Sequence, residues 1–192
     1  TEYDKTHADR FTVDGKSITM EEDVQFAHYD PNVASLMQLG KWFDYMRENG
    51  VYDNTRIILV ADHGRGLYLN WDRVIDNGPD TDFFFPLLMV KDFNAKGFSF
   101  SDTFMTTADV PTLATSGLID NPTNPFTGNA INANAKYDRP FYAFMSYDWD
   151  TSKNNGNQFF PGTWYRVDNQ NARDKRNWVM VGENTVLPDA LR

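Results

Sequence analysis

The sequence contains no cysteine and only three histidines among its 192 residues. The first absence removes disulfides, cysteine-based zinc and iron–sulfur sites, and thiol nucleophiles together. The second confines histidine chemistry to His7, His28 and His63. Basic residues are few, 18 against 27 acidic ones, for a formal net charge of −9. So acidic a chain lacks the basic footprint that nucleic acid requires. It also lacks an electrostatic grip on anionic lipid. No apolar run approaches the ~20 residues that span a bilayer. No internal repeat is visible. The polar opening at Thr1 carries no signal-peptide pattern and reads as a cut start.

What is present suits a folded domain. Hydrophobic residues make up 41% and aromatics 15%, which excludes disorder for most of the chain. The length fits one large domain or a domain and a half. Asp30 is suited to cap a helix, with Pro31 at its first position. Val33, Leu36, Leu39, Phe43 and Met46 then recur at spacings of three and four, and Gly50 suits the C-terminal cap. Ile57–Ala61 is an unbroken, β-branched apolar run, the pattern of a strand buried on both faces of a parallel sheet. Leu87–Val90, after Pro86, reads as a second strand. Thr106 and Asp109 have capping-box spacing before a short helix that Gly117 closes.

From Asn121 onward the character changes to turn chemistry. Phe141–Tyr147, Thr163–Val167 and Trp178–Val181 read as strands of an antiparallel hairpin or small sheet. The expected fold is therefore α/β with a mostly parallel sheet over residues 1–128, followed by an aromatic-rich antiparallel segment over residues 129–192.

Asp62 and His63 follow directly on the first buried strand. Ligands gather beyond the carboxyl ends of strands in open parallel sheets, and both side chains are suited to Mn or Zn. Gly64 and Gly66 permit close backbone approach. The plainer reading makes Asp62 a cap and His63 a loop residue. Arg65 has the chemistry to meet an anionic oxygen, or to stand solvated in its loop.

The stretch Val51-Tyr52-Asp53-Asn54-Thr55-Arg56-Ile57-Ile58-Leu59-Val60-Ala61-Asp62-His63-Gly64 resembles the signature of sulfatases and phosphoglycerol transferases of the alkaline phosphatase superfamily. Lys41–Met46 resembles the matching helix of the lipoteichoic-acid-synthase-like branch. Phe85–Val90 and Thr107–Leu113 resemble the next strand and the "D-x-x-P-T-L" helix. The four segments cover about Lys41 to Gly128 in the family's order.

The resemblance implies part of an alkaline-phosphatase-like sandwich, with Asp62 and His63 as ligands of Mn, Zn or Ca. Thr6-His7 is similar to the pair near the bound phosphate or sulfate, which makes His7 a catalytic candidate and an ordinary loop histidine the other reading. His28 is read as a residue at the helix start, and Asp109 as a cap rather than a ligand. The family's nucleophile and further acidic ligands lie in an N-terminal half not seen in this chain. The isolated chain is thus expected to be inactive, and the missing half to be its partner. The same resemblance implies the extracellular or cell-surface face of a bacterial membrane, with a glycan or glycerolphosphate polymer nearby. A cut sheet would leave an exposed edge open to homodimerisation. A sugar-phosphate mutase of the same superfamily fits less well, because those enzymes carry more His and Asp around paired metals.

A different class of function also stands. Phe141, Tyr142, Phe144, Tyr147, Trp149, Phe159, Phe160, Trp164 and Tyr165 form a dense aromatic group amid asparagines, which would suit a non-catalytic glycan- or partner-binding domain. Packing of alternate aromatics within the strand pair accounts for the same pattern.

Overall fold

The computed structural model describes residues 10–13, 15–20, 22–69, 71–146 and 160–191. His7 lies outside them, as do Tyr147, Trp149 and Phe159 of the aromatic group. Strands β1 (Arg10–Val13) and β2 (Lys16–Thr19) form a hairpin whose turn uses Gly15 at φ 77°. Helix α1 spans Asp23–Glu48. Strand β3 (Ile57–Val60) pairs with β4 (Leu88–Lys91). A 3-10 turn at Thr107–Asp109 leads into α2 (Val110–Thr115). Strands β5 (Phe141–Met145), β6 (Gly162–Val167) and β7 (Trp178–Thr185) complete the described elements.

The mostly parallel sandwich is not formed. Among the described residues the strands make three separate sheets of two, two and three strands, and every pairing is antiparallel. A parallel partner for β3 needs a crossover, usually helical. In the described residues between β3 and β4 the chain makes short 3-10 turns, at Trp71–Arg73 and Thr81–Phe84, and an isolated antiparallel bridge between Val74 and Asp80, and then runs back along β3. Nor is the apolar run buried on both faces. Ile57 is buried, but Val60, Met89 and Val90 are exposed. A short apolar run does not encode the direction of its neighbour.

Helix α1 begins about two turns before Pro31, which therefore lies inside it. A competing start signal prevails: the Gln25 side chain reaches back to accept the Glu22 N–H at 3.2 Å. Pro31 brings no N–H for the Ala27 carbonyl. Near it, Asn32 Nδ2 donates to the His28 carbonyl at 2.6 Å and Ser35 Oγ to the Pro31 carbonyl at 2.7 Å.

The buried cluster lies on the three-stranded sheet. Ala143, Tyr165, Val167 and Trp178 form it, with Ile75, Phe84, Phe141 and Ala172 packed against it. Alternation sends Tyr165 inward and leaves Phe144 and Trp164 paired with each other elsewhere on the sheet, their ring centroids 4.8 Å apart. Packing thus employs much of the described aromatic group. Phe84 lies 5.0 Å from the Trp178 ring, so the core extends to the turn that precedes β4.

At the start of α2 the Asp109 carboxylate accepts the Thr106 N–H at 2.7 Å and pairs with Lys136 at 3.0 Å. Burial pushes the carboxyl up, but the Thr106 N–H and the Lys136 ammonium outweigh it and hold Asp109 below the ordinary 3.8. A depressed value stabilises the fold above 3.8, and that contribution is lost as pH falls through the lower folded value. Asp109→Asn should cost about 1.5–3 kcal/mol at pH 7. It should also flatten the acid limb of stability below about pH 3.9. Urea titrations of both proteins across that range would show an unchanged acid limb if the pairing contributes nothing.

Candidate functional site

Asp62 and His63 stand immediately beyond β3, at the edge of the described fold. Both side chains are largely exposed, at 89% and 64%. Asp62 Oδ1 accepts the His63 backbone N–H at 3.0 Å, and no helix follows for it to cap in the described residues up to 69. His63 Nδ1 lies 2.6 Å from the Gly64 carbonyl. A carbonyl only accepts, so in the tautomer that donates this bond from Nδ1 the Nε2 nitrogen keeps a lone pair. Metal-binding histidines are commonly oriented in this way, through the nitrogen that does not bind the metal.

Asp62 Oδ2 is 3.9 Å from His63 Nε2. Bonds to zinc from nitrogen and oxygen are about 2.1 Å each, so one ion can touch both atoms at a wide angle. The donor chemistry fits a divalent cation, but it supplies two ligands. Among the described residues no group of three or more His, Cys, Asp or Glu side chains converges to hold one. Arg65 is exposed, with its guanidinium 5.9 Å from the Phe83 ring centroid. His28 sits in the first half of α1. Asp109 is engaged as a cap, away from Asp62 and His63 in hydrogen bonding. Beside β3 and β4 lies an open groove of about 1720 Å³, lined in part by Phe98, Phe100, Met89 and Leu113. Asp62, His63 and Arg65 are not part of its wall.

The loop after Asp62-His63 is seated against the turn before β4. Gly64 N–H donates to the Phe83 carbonyl at 3.0 Å. A Cβ on Gly64 would fall 1.9 Å from the Asp82 carbonyl oxygen and 2.7 Å from that of Phe85. On Gly66 it would meet the Phe83 ring at 2.5 Å. The two glycines therefore provide the close approach that their position suggested. Gly64→Ala should displace the loop and cost about 1–3 kcal/mol. The same change at Gly40, a helical position where a Cβ meets nothing within 4 Å, should stabilise by about 0.4–1 kcal/mol. Equal unfolding midpoints for the two variants would refute the seating.

Two side chains in this seat carry no advance signal in the sequence. Gln25 of α1 is buried, and its Nε2 donates to the Leu67 carbonyl at 3.1 Å. Asp80 is fully buried, and Oδ2 accepts the Tyr68 N–H at 2.9 Å while Oδ1 accepts that of Asp82 at 3.0 Å. Burial pushes its carboxyl above the ordinary range despite those two donors. Tyr68 itself is held at φ 54°, a conformation that costs a bulky residue on the order of 1–3 kcal/mol.

No family model, curated protein or solved structure matches this chain. Among the described residues no helix is long and apolar enough to cross a membrane.

Proposed function

We propose that this chain contributes Asp62 and His63 as two ligands of a divalent metal in an enzyme acting on sulfate or phosphate esters, as a sulfatase or phosphoglycerol transferase does. One observation carries the reading. The pair closes a fourteen-residue stretch, Val51–Gly64, that resembles the family signature, and it emerges from the end of β3 with His63 Nε2 3.9 Å from Asp62 Oδ2. The metal, when bound, would lower the pKa of a hydroxyl nucleophile and neutralise charge on the transferring group. Asp62 would bring negative charge to the cation, and His63 its Nε2 nitrogen, with Nδ1 against the Gly64 carbonyl. Arg65 brings a positive charge two residues from His63 for an anionic ester oxygen.

The remaining ligands and the nucleophile come from outside the described residues, so the described portion alone does not turn over an ester. Mn, Zn and Ca all suit the pair, and a cell-surface glycan or glycerolphosphate polymer suits the reading as acceptor. Its setting would then be the outer face of a bacterial membrane.

The test begins with the native protein. An antibody raised against this chain should detect a species well above 22.1 kDa in source cells. That species should cleave phosphodiester or sulfate-ester probes only with divalent metal, and Asp62→Ala should abolish the cleavage. A 22.1 kDa species with no metal-dependent cleavage overturns the reading.

A further inference from the structure

The segment that follows β4 carries an alternation that the fold does not use. Lys96-Gly97-Phe98-Ser99-Phe100-Ser101-Asp102 alternates large and small residues, which is the period of a strand. Yet the stretch from Phe98 to Thr106 lies in no helix, strand or turn. Among the described residues the backbone of 96–102 makes no backbone–backbone hydrogen bond. Phe98 is 71% exposed and Phe100 91%. Their rings meet edge to face with centroids 5.0 Å apart, so both lie on one side of the segment. A row of unpaired N–H and C=O groups beside exposed apolar side chains is a template for a strand from another chain.

The order of the residues selects that chain, because the segment is complementary to itself. Set antiparallel to a second copy about Ser99, Phe98 faces Phe100 and Lys96 faces Asp102, each pair occurring twice by symmetry. Aromatic pairs and opposite charges directly across two strands are both favourable. Lys96, Phe98, Phe100 and Asp102 share one face of such a pair, and Gly97, Ser99 and Ser101 the other. A parallel pairing in register would instead set Lys96 on Lys96 and Asp102 on Asp102. A slip of one residue would set each Phe against a Ser. Both charges are within reach of a partner. Lys96 pairs with Asp53 at 3.0 Å and Asp102 with Arg173 at 3.3 Å, but all four side chains are more than half exposed. Surface pairs of this kind hold weakly and can exchange. We propose that residues 96–102 form an antiparallel strand pair with a second copy of this chain, centred on Ser99. Nothing in this pairing depends on the reading of Asp62 and His63.

The experiment uses the whole chain. Sedimentation should show a concentration-dependent species of twice 22.1 kDa. Lys96→Asp and Asp102→Lys should each weaken association by about tenfold or more, since each turns two attractive pairs into two repulsive ones. An equal mixture of the two variants should regain the dimer, because every reversed charge then meets its opposite. The chain has no cysteine, so Ser99→Cys places a single thiol at the two-fold axis. Residues directly opposite in an antiparallel pair have Cα atoms about 4.5–5.5 Å apart, within the reach of a disulfide. Mild oxidation should therefore link Ser99→Cys into a covalent dimer well before Ser101→Cys, which faces Gly97 instead. A chain that stays monomeric at its highest soluble concentration overturns the proposal. So does a dimer that survives both charge reversals, a mixture that fails to regain it, or a Ser101→Cys variant that links as fast as Ser99→Cys.

Discussion

His63→Ala is expected to lower the affinity of the protein for Zn²⁺ or Mn²⁺ by more than about a hundredfold. Removing even an outer partner of a ligand costs about 10–100-fold, and this change removes a ligand itself. Asp62→Ala should lose at least as much, because it withdraws the negative charge of the pair. The fold should not suffer. Both side chains are largely exposed, and the backbone contacts at risk are those of Asp62 with the His63 N–H and of His63 Nδ1 with the Gly64 carbonyl. Calorimetric titration of the two variants with each metal, beside their melting curves, separates loss of the site from loss of structure. Retained binding in either variant would remove the metal role, whatever the sequence resembles.

The second large effect lies far from the pair in sequence. Trp178 is buried, its indole N–H donates to the Ala172 carbonyl at 2.7 Å, and its ring meets those of Phe84 and Tyr165 at 5.0 and 5.9 Å. Trp178→Ala should cost about 3–5 kcal/mol. Trp178→Phe should keep most of the packing and lose chiefly the hydrogen bond, about 1 kcal/mol. Because Phe84 lies in the turn that seats the Asp62–His63 loop, the alanine variant should also weaken any metal binding at the proposed site, through the fold rather than through the ligands. Urea denaturation gives the first number. A difference of less than about 1 kcal/mol between the alanine variant and wild type would show that the three-stranded sheet is not the principal core.

Some of this was legible in the residues and some was not, and the division follows the range of the interactions. Thr106 and Asp109 declared their cap three residues apart, and the hydrogen bond between them is present. Gly64 and Gly66 declared a close approach, and backbone or ring atoms stand where their Cβ atoms would be. The strands around Phe144 and Trp164 followed from aromatic, β-branched runs between turns. Strand direction did not follow, because Ile57–Val60 is equally apolar beside a parallel or an antiparallel neighbour. The start of α1 was contested by two local signals, and Asp30-Pro31 was the more conspicuous of them. Gln25 and Asp80 were invisible as parts of the site. Each acts on a loop residue, Leu67 and Tyr68 respectively, that is remote in the chain, and nothing nearby marks either as more than a helix residue and a turn cap.

Pro31 divides α1 into a short leading piece and a long trailing one. The trailing piece carries the buried Met46 in its last turn, and the Met46 carbonyl accepts the N–H groups of Val51 and Tyr52. The leading piece carries Gln25 and has a backbone ladder already interrupted at its rear. It can therefore fray as a small unit of its own, without disturbing the helix behind it. Amide exchange around Leu67 would then keep time with exchange in the first two turns of α1, and run faster than exchange in β6. In that sense one hold on the Asp62–His63 loop, the Gln25 bond to Leu67, depends on the short stretch of α1 ahead of its proline.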